Sequence, residues 1–296
     1  MNQPTTCIDV LCVGQATYDL IFSVPAHPGT DEKVFADRFA GCGGGPAANA
    51  AITVARLGFK AAFAGYLGDD LFGSKHWQEL LDDGVDTRFI VRGKAPTPLS
   101  AILVKPDGRR ALINYKGATR PLNAGAVDYS NLEAKVMLFD GHEPNISLQL
   151  ARYARYNGIP TVLDAGSVHE GSIGLLDLSD YLVASEKFAL QYAGDIHTAL
   201  RRLAETAPAA VITLGENGLI WQRGNEQGEL PAYPVIAIDS TGAGDAFHGA
   251  FAAALAAGQD WLDILNYASA AGALCCTKTG ARPGLPTCEE MQDLLR

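Results

Sequence analysis

The sequence predicts an α/β fold: a mainly parallel central sheet with helices on both faces, and a small β lid beside it. Three observations carry this. Short β-rich apolar runs alternate with helical patterns along most of the 296 residues, two stretches interrupt that alternation with paired strand patterns, and two glycine turns each lead into an alanine-rich helical run. Alternating strands and helices favour parallel pairing, because a parallel pair needs a crossover and a helix is the usual one. Covered on both faces, such strands read as near-continuous apolar runs.

Ile8–Val13 is the first expected strand, followed by Thr17-Tyr18-Asp19-Leu20. The first interruption places Leu20–Val24 and Val34–Phe39 around a Pro/Gly turn. Gly41-Cys42-Gly43-Gly44-Gly45-Pro46-Ala47-Ala48-Asn49-Ala50-Ala51 then opens a helix that ends at Leu57-Gly58. Pro46 suits the first helical turn and Gly58 the stop. Ala47, Ala48, Ala50 and Ala51 make this helix thin enough to pack close to a sheet, and Asn49, its lone amide, could project toward the glycine loop. Ala61–Tyr66 is the next strand. The second interruption, Leu99 to Lys116, gives Ala101–Val104, a Pro106-Asp107-Gly108 turn and Ala111–Tyr115. Val136–Phe139, Thr161–Leu163, Tyr181–Val183 and Ala209–Leu214 continue the main sheet.

Near the end, the apolar stretch Val235-Ile236-Ala237-Ile238 reads as a strand running into Ser240-Thr241-Gly242-Ala243-Gly244-Asp245 and a small-residue helix from Ala246 to Ala257. A helix start offers unpaired N–H groups and a positive dipole end, so an anion can be held against Gly242, Ala243 and Gly244. A carboxylate there would repel phosphate unless it had a proton to accept, so Asp245 reads as a general base acting on an alcohol. That combination describes phosphoryl transfer. No G-x-x-x-x-G-K-[ST] loop occurs, so the phosphate cradle is not a P-loop.

Composition narrows the partners. At 48% hydrophobic and 19% charged, residues 1–296 can bury one large core as a single domain, with a lid formed by about 18–40 and 98–120. No segment reaches the roughly 18 apolar residues of a membrane span. Met1 to Thr6 carries no secretory pattern, so a cytoplasmic protein is expected. The six cysteines show no C-x-x-C pair or zinc spacing and read as buried or semi-exposed free thiols. A net charge of −10 argues against nucleic acid or an anionic membrane as partner, yet local backbone amides can still hold the phosphates of ATP.

Asp239 through Asp245 resembles the DTxGAGD signature of the ribokinase family, the PfkB carbohydrate kinases, and Gly43-Gly44-Gly45 with Asn49 resembles that family's N-terminal GG…N motif. The resemblance extends over essentially the whole chain. It implies transfer of the γ-phosphoryl of ATP to a sugar hydroxyl, with Asp245 taking the proton and the amides of Gly242, Ala243 and Gly244 stabilising phosphoryl charge. It also implies sugar contacts from Asp19, Asn49 and the Gly43–Gly45 amides, with Lys33 and Asn114 reaching in from the lid. Val211 to Gly218 resembles the family's T-x-G-x-x-G loop, which assigns Thr213, Gly215, Asn217 and Gly218 to the nucleotide. Tyr267-Ala268-Ser269 and Gly280–Gly284 match segments that flank adenine and, in many relatives, a monovalent-cation loop; Ser269 is thus a nucleotide residue, and Asp239 a candidate ligand for potassium (K+).

One motif departs. Where the family has N-x-x-E near magnesium (Mg2+), this chain reads Ser185-Glu186-Lys187-Phe188, so Ser185 stays on the nucleotide side and Glu186 is the candidate metal contact through water. The metal requirement follows from the charge on the transferred group. In relatives the lid is often also a dimer-forming clasp, so a homodimer through it is a partner to consider. Within the family, GGGPAA, Ile113-Asn114-Tyr115 and Phe247-His248-Gly249-Ala250 look closest to the sulfofructose-kinase-like branch. At the place of that branch's sulfonate-binding Arg stands Asp140-Gly141-His142-Glu143, and His142 suits a sulfonate less well than an Arg fork. A neutral ketohexose or pentose such as fructose or ribose is therefore the expected acceptor. Alternatives are a sulfofructose or sugar-phosphate kinase, a nucleoside kinase and a non-catalytic sugar-binding regulator. His248, three residues beyond Asp245, could face the site or the core, and the core is the expected side.

Overall fold

The computed structural model describes residues 7–106 and 109–296. Met1–Thr6 and the Asp107-Gly108 of the expected turn lie outside the described residues. In chain order the first half holds β1 (Ile8–Val13), β2 (Thr17–Ser23), β3 (Arg38–Gly44), α1 (Pro46–Arg56), β4 (Ala61–Gly68), α2 (Leu71–Asp82), β5 (Asp86–Gly93), β6 (Leu99–Val104) and β7 (Arg110–Tyr115). The middle holds β8 (Ala134–Phe139), α3 (Pro144–Asn157), β9 (Thr161–Ala165), α4 (Glu170–Leu175), β10 (Tyr181–Ser185), α5 (Glu186–Ala193), α6 (Ile196–Thr206), β11 (Ala209–Thr213), β12 (Leu219–Arg223) and β13 (Glu226–Leu230). The helices α7 (Ala243–Ala256), α8 (Trp261–Cys275), α9 (Ala281–Gly284) and α10 (Cys288–Leu294) close the chain.

Nine strands form the main sheet in the order β13-β12-β11-β10-β9-β8-β1-β4-β5, parallel from β5 through β11 and antiparallel only at the β11-β12-β13 edge. The chain winds from β1 toward β4 and β5, then resumes at β8 on the other side of β1. That reversal between β1 and β8 opens a crevice at the carboxyl ends of the strands, the usual place for a ligand in such a sheet. Residues of β1 alternate between its faces: Val10 and Cys12 join a core with α1, α7 and α8, whereas Leu11 and Val13 join one with α3 and α6.

Small residues set the approach of α1 to α7. Ala47, Ala48, Ala50 and Ala51 are fully buried, and a Cβ on Gly249 of α7 would stand 2.6 Å from the Ala50 carbonyl oxygen. Only a glycine lets the two helices cross this closely.

A second sheet, β3-β2-β6-β7, stands apart as the lid, with β2 and β6 parallel and the outer pairs antiparallel. Its first hairpin is shifted from the expected Val34–Phe39. β3 runs Arg38–Gly44, because β2 ends at Ser23, whose ladder partner is Arg38. Nothing remains for Val34 to pair with, and Phe35 is 81% exposed. Gly41–Gly44 of the glycine-rich loop are therefore strand. The expected strand at Val235–Ile238 does not form either. Ile236 is 88% exposed, and the Ile238 and Asp239 amides both donate to the Cys276 carbonyl rather than to a neighbouring strand. All six cysteines are free; Cys7, ahead of β1, is exposed rather than enclosed.

Candidate active site

Two glycine turns meet at the crevice. Gly242 caps α7 with φ 81°, and a Cβ there would stand 2.7 Å from that of Ala281. The Ala246 amide makes the first turn's bond to the Gly242 carbonyl, so the Gly244 and Asp245 amides open toward the N-terminal side of the helix. The Ala243 amide is partly engaged, donating to Ser240 O at 3.3 Å. Asp239 holds the turn from below: its Oδ1 accepts from the Thr241 amide (2.9 Å) and hydroxyl (2.6 Å), and its Oδ2 from the Gly280 amide (2.8 Å). The expected cation carboxylate is thus a buried clamp joining two loops, with both oxygens already accepting.

Asn49 does not turn back to its own glycine loop. Its Nδ2 donates to Asp245 Oδ2 at 2.7 Å, so the α1 and α7 motifs share one hydrogen bond. Among the described residues, Asn49 Oδ1 is buried without a hydrogen-bond partner. Burial pushes the Asp245 carboxyl up to about 7; Asp164 adds to the rise, while Asn49 and His248 oppose it. A carboxyl ionising near neutrality is suited to take a proton from an alcohol.

The other wall is built around Asp140, which follows β8. Its Oδ2 accepts the Gln15 amide (2.8 Å) and the Ala47 amide (3.1 Å), and its Oδ1 the His142 amide (2.8 Å). One buried carboxylate therefore ties together the segment after β1, the start of α1 and the loop before α3. Gln15, Tyr66, Lys116, His142 and Glu143 line a small cavity here. His142 is half-buried and stacks on His169, with centroids 4.5 Å apart. Glu143, which the sequence left without a role, is buried and accepts the Leu122 amide at 2.7 Å, and desolvation raises its carboxyl to about 7.

Asp19 lies within β2 rather than in a loop. It is buried, its Oδ1 accepts from the Thr17 hydroxyl at 3.0 Å, burial raises its carboxyl, and Gly44 packs directly against it. Gly43 departs from expectation: its amide donates to Glu79 Oε2 at 2.8 Å and is not free for a sugar. The buried Arg282, beside His76 and Glu79, lies behind this strand. Lys33 is exposed in the connection ahead of β3, and Asn114 is exposed on β7, an edge strand of the lid sheet. A different lid residue reaches the crevice. The Arg110 guanidinium on β7 donates to the Thr241 hydroxyl, a contact that nothing local in the sequence signals.

On the nucleotide side, Ser185 caps α5, accepting the Phe188 amide at 3.1 Å and donating to Gly166 O at 2.9 Å. Phe188, at the family's Glu place, is fully buried and stacks on Tyr192. Glu186 is exposed at the first turn of α5. Thr213 pairs with Ser185 across the sheet, so the two sit side by side at the strand ends. Gly215 to Asn217 form a tight turn in which the Asn217 amide donates to Leu214 O and the Gly218 amide to Gly215 O, so neither is free for phosphate. Ser269 is half-buried on α8.

A mainly parallel sheet with a switch-point crevice, an open helix N-terminus and a carboxyl raised by burial to about 7 suit phosphoryl transfer to an alcohol. The chain belongs to the pfkB family of carbohydrate kinases, whose family model matches residues 8–288. Ribokinase from Bacillus subtilis is 29% identical over 97% of this chain and 99% of its own length. Fructokinase-1 from Zea mays is 30% identical over 85% of this chain and 88% of its own. The structure of Arabidopsis thaliana ribokinase complexed with ribose and ATP superposes with a TM-score of 0.86 at 25% identity, covering 98% of this chain and 99% of that one. The protein is an ATP-dependent sugar kinase.

Proposed function

We propose that residues 1–296 act as one domain that phosphorylates a hydroxyl of a neutral ketohexose or pentose, fructose or ribose, with Asp245 as the general base. The observation that carries this is the Asn49–Asp245 hydrogen bond of 2.7 Å. It sets a carboxyl titrating near pH 7 beside an orphan amide oxygen, at the foot of an open helix N-terminus. A sugar hydroxyl donating to Asn49 Oδ1 stands next to the base. Asp19 and the Gly45 amide hold the neighbouring hydroxyls. The Gly242 and Gly244 amides face the phosphoryl oxygens, where fixed donors lower the barrier without reorganising. Ser185, Thr213, Gly215, Asn217 and Ser269 border the nucleotide.

Magnesium supplies charge neutralisation on the phosphates. The donor set here fits an ion carried mainly by nucleotide and water, with the exposed Glu186 as an outer contact, since this ion keeps several waters. Potassium, if bound, would be held by the loops that Asp239 joins, around Thr241 and Gly280. Phe39, Ile113 and Tyr115 are 62%, 68% and 53% exposed on the lid sheet, which favours a homodimer through it. Among the described residues no helix is long and apolar enough to cross a membrane, in keeping with a cytoplasmic enzyme. One observation favours an anionic acceptor instead: Lys116 and His142 line the cavity. The buried Glu143 opposes it.

The test is ATP consumption with magnesium against ribose, fructose, sulfofructose, fructose phosphates and nucleosides, for wild type and Asp245→Asn. Turnover on a neutral sugar that is lost in the folded variant supports the reading. Preference for a charged sugar, or full activity of the variant, overturns it.

A further inference from the structure

His248 lies one turn into α7, three residues beyond Asp245, and is 4% exposed. Its Nδ1 is 2.6 Å from the Gly244 carbonyl oxygen and its Nε2 is 3.1 Å from the Val183 carbonyl oxygen on β10. A carbonyl oxygen only accepts, so both ring nitrogens face acceptors. A ring carrying one N–H would set a bare lone pair against a buried carbonyl; a ring carrying two satisfies both. Asp164 on β9, itself buried, has Oδ1 3.5 Å from Nε2 and supplies the opposing charge. The remaining charged groups around this pair are Asp245 on the same helix, Asp140 after β8 and His142 beyond it.

The Gly244 carbonyl matters because it shares a planar trans peptide with the Asp245 amide, and the two point in opposite directions. Drawing the carbonyl down the helix axis toward His248 turns the Asp245 N–H up toward the open end of α7. Val183 fixes the other side of the ring to β10, so the turn is tied to the central sheet.

We propose that His248 is a positioning residue for phosphoryl transfer: as a ring with two N–H groups, balanced by Asp164, it locks the Gly244–Asp245 peptide against β10 so that the Asp245 amide faces the transferred group. Its charge also favours the ionised form of the Asp245 carboxylate. This role rests on the assignment of Asp245 as base, although the ring's own state does not.

Two measurements test it. Nitrogen-15 NMR of the histidine rings in the wild-type protein between pH 6 and 8 should show both His248 nitrogens carrying a proton; a one-proton ring overturns the proposal whatever the variants do. His248→Gln keeps one donor without charge, and His248→Phe keeps the ring volume without donors. With fructose and ribose as acceptors, kcat is expected to fall about tenfold in the Gln variant and about a hundredfold in the Phe variant, with the sugar KM within about twofold. The acid limb of kcat against pH should move to higher pH in both, a change that loss of packing alone does not produce. Wild-type kcat with an unmoved acid limb sinks the proposal. Asp245→Asn run alongside separates the two ideas: if it keeps its rate, the base assignment fails, and the NMR result still decides how the ring holds Gly244.

Discussion

Replacing Asp245 with Asn should lower activity and raise stability together. The carboxyl rises from 3.8 to about 7 on folding, chiefly through burial and then through Asp164. Between those values the native state holds a proton that the unfolded chain has released, so stability falls as pH rises through this window and stays low above it. At about 1.4 kcal/mol for each tenfold in the proton equilibrium, the ionised carboxylate costs on the order of 1–4 kcal/mol at pH 8. Asn keeps the shape, still accepts from Asn49 and carries no charge. Denaturant unfolding at pH 8 should therefore show the variant more stable by about that amount, with the difference vanishing near pH 4. Its sugar-dependent ATP consumption should drop by about 10²–10⁴. A variant less stable than wild type at pH 8 would refute the reasoning, because it would make the carboxylate a helix cap that stabilises α7 through the dipole.

The same carboxyl sets a pH profile: kcat/KM should fall about tenfold per unit below about pH 7, and a flat profile down to pH 5 would argue for a different base. Asp140→Asn keeps the size but offers an amide N–H to groups that only donate, so we expect a loss of about 1–3 kcal/mol in stability and a raised sugar KM; unchanged values for both would show that the three amides do not depend on it. Gly249→Leu places a side chain where a Cβ already stands 2.6 Å from Ala50 O, which should destabilise by roughly 1–3 kcal/mol or more and reduce kcat by separating Asn49 from Asp245. An active, equally stable Gly249→Leu would show that the helices can part without consequence. Arg110→Ala should weaken ATP turnover without altering unfolding, since Arg110 is an exposed lid residue whose guanidinium reaches Thr241 in the turn before α7; a matching loss of stability would count against that role.

The sequence by itself determined what consecutive residues can encode. Strand and helix periodicity placed the runs at Ile8–Val13, Val136–Phe139 and Ala209–Leu214, the last ending one residue later than β11, and Gly242 and Asp245 were legible as the start of a helix with a carboxyl in its first turn. Local pattern misled where pairing decides: Val235–Ile238 has the composition of a strand but no neighbour to bond, and Val34 has the composition for β3 but lies past the end of β2. Tertiary structure decided the contacts between residues far apart in the chain. The Asn49–Asp245 bond spans 196 positions, Asp140 reaches Ala47 across 93, and Asp239 reaches Gly280 across 41. The first depends on the crossing of α1 over α7, the second on the reversal between β1 and β8, and the third on the packing of α8 against α7. Those are set by packing of the whole sheet, and no short stretch of sequence contains them.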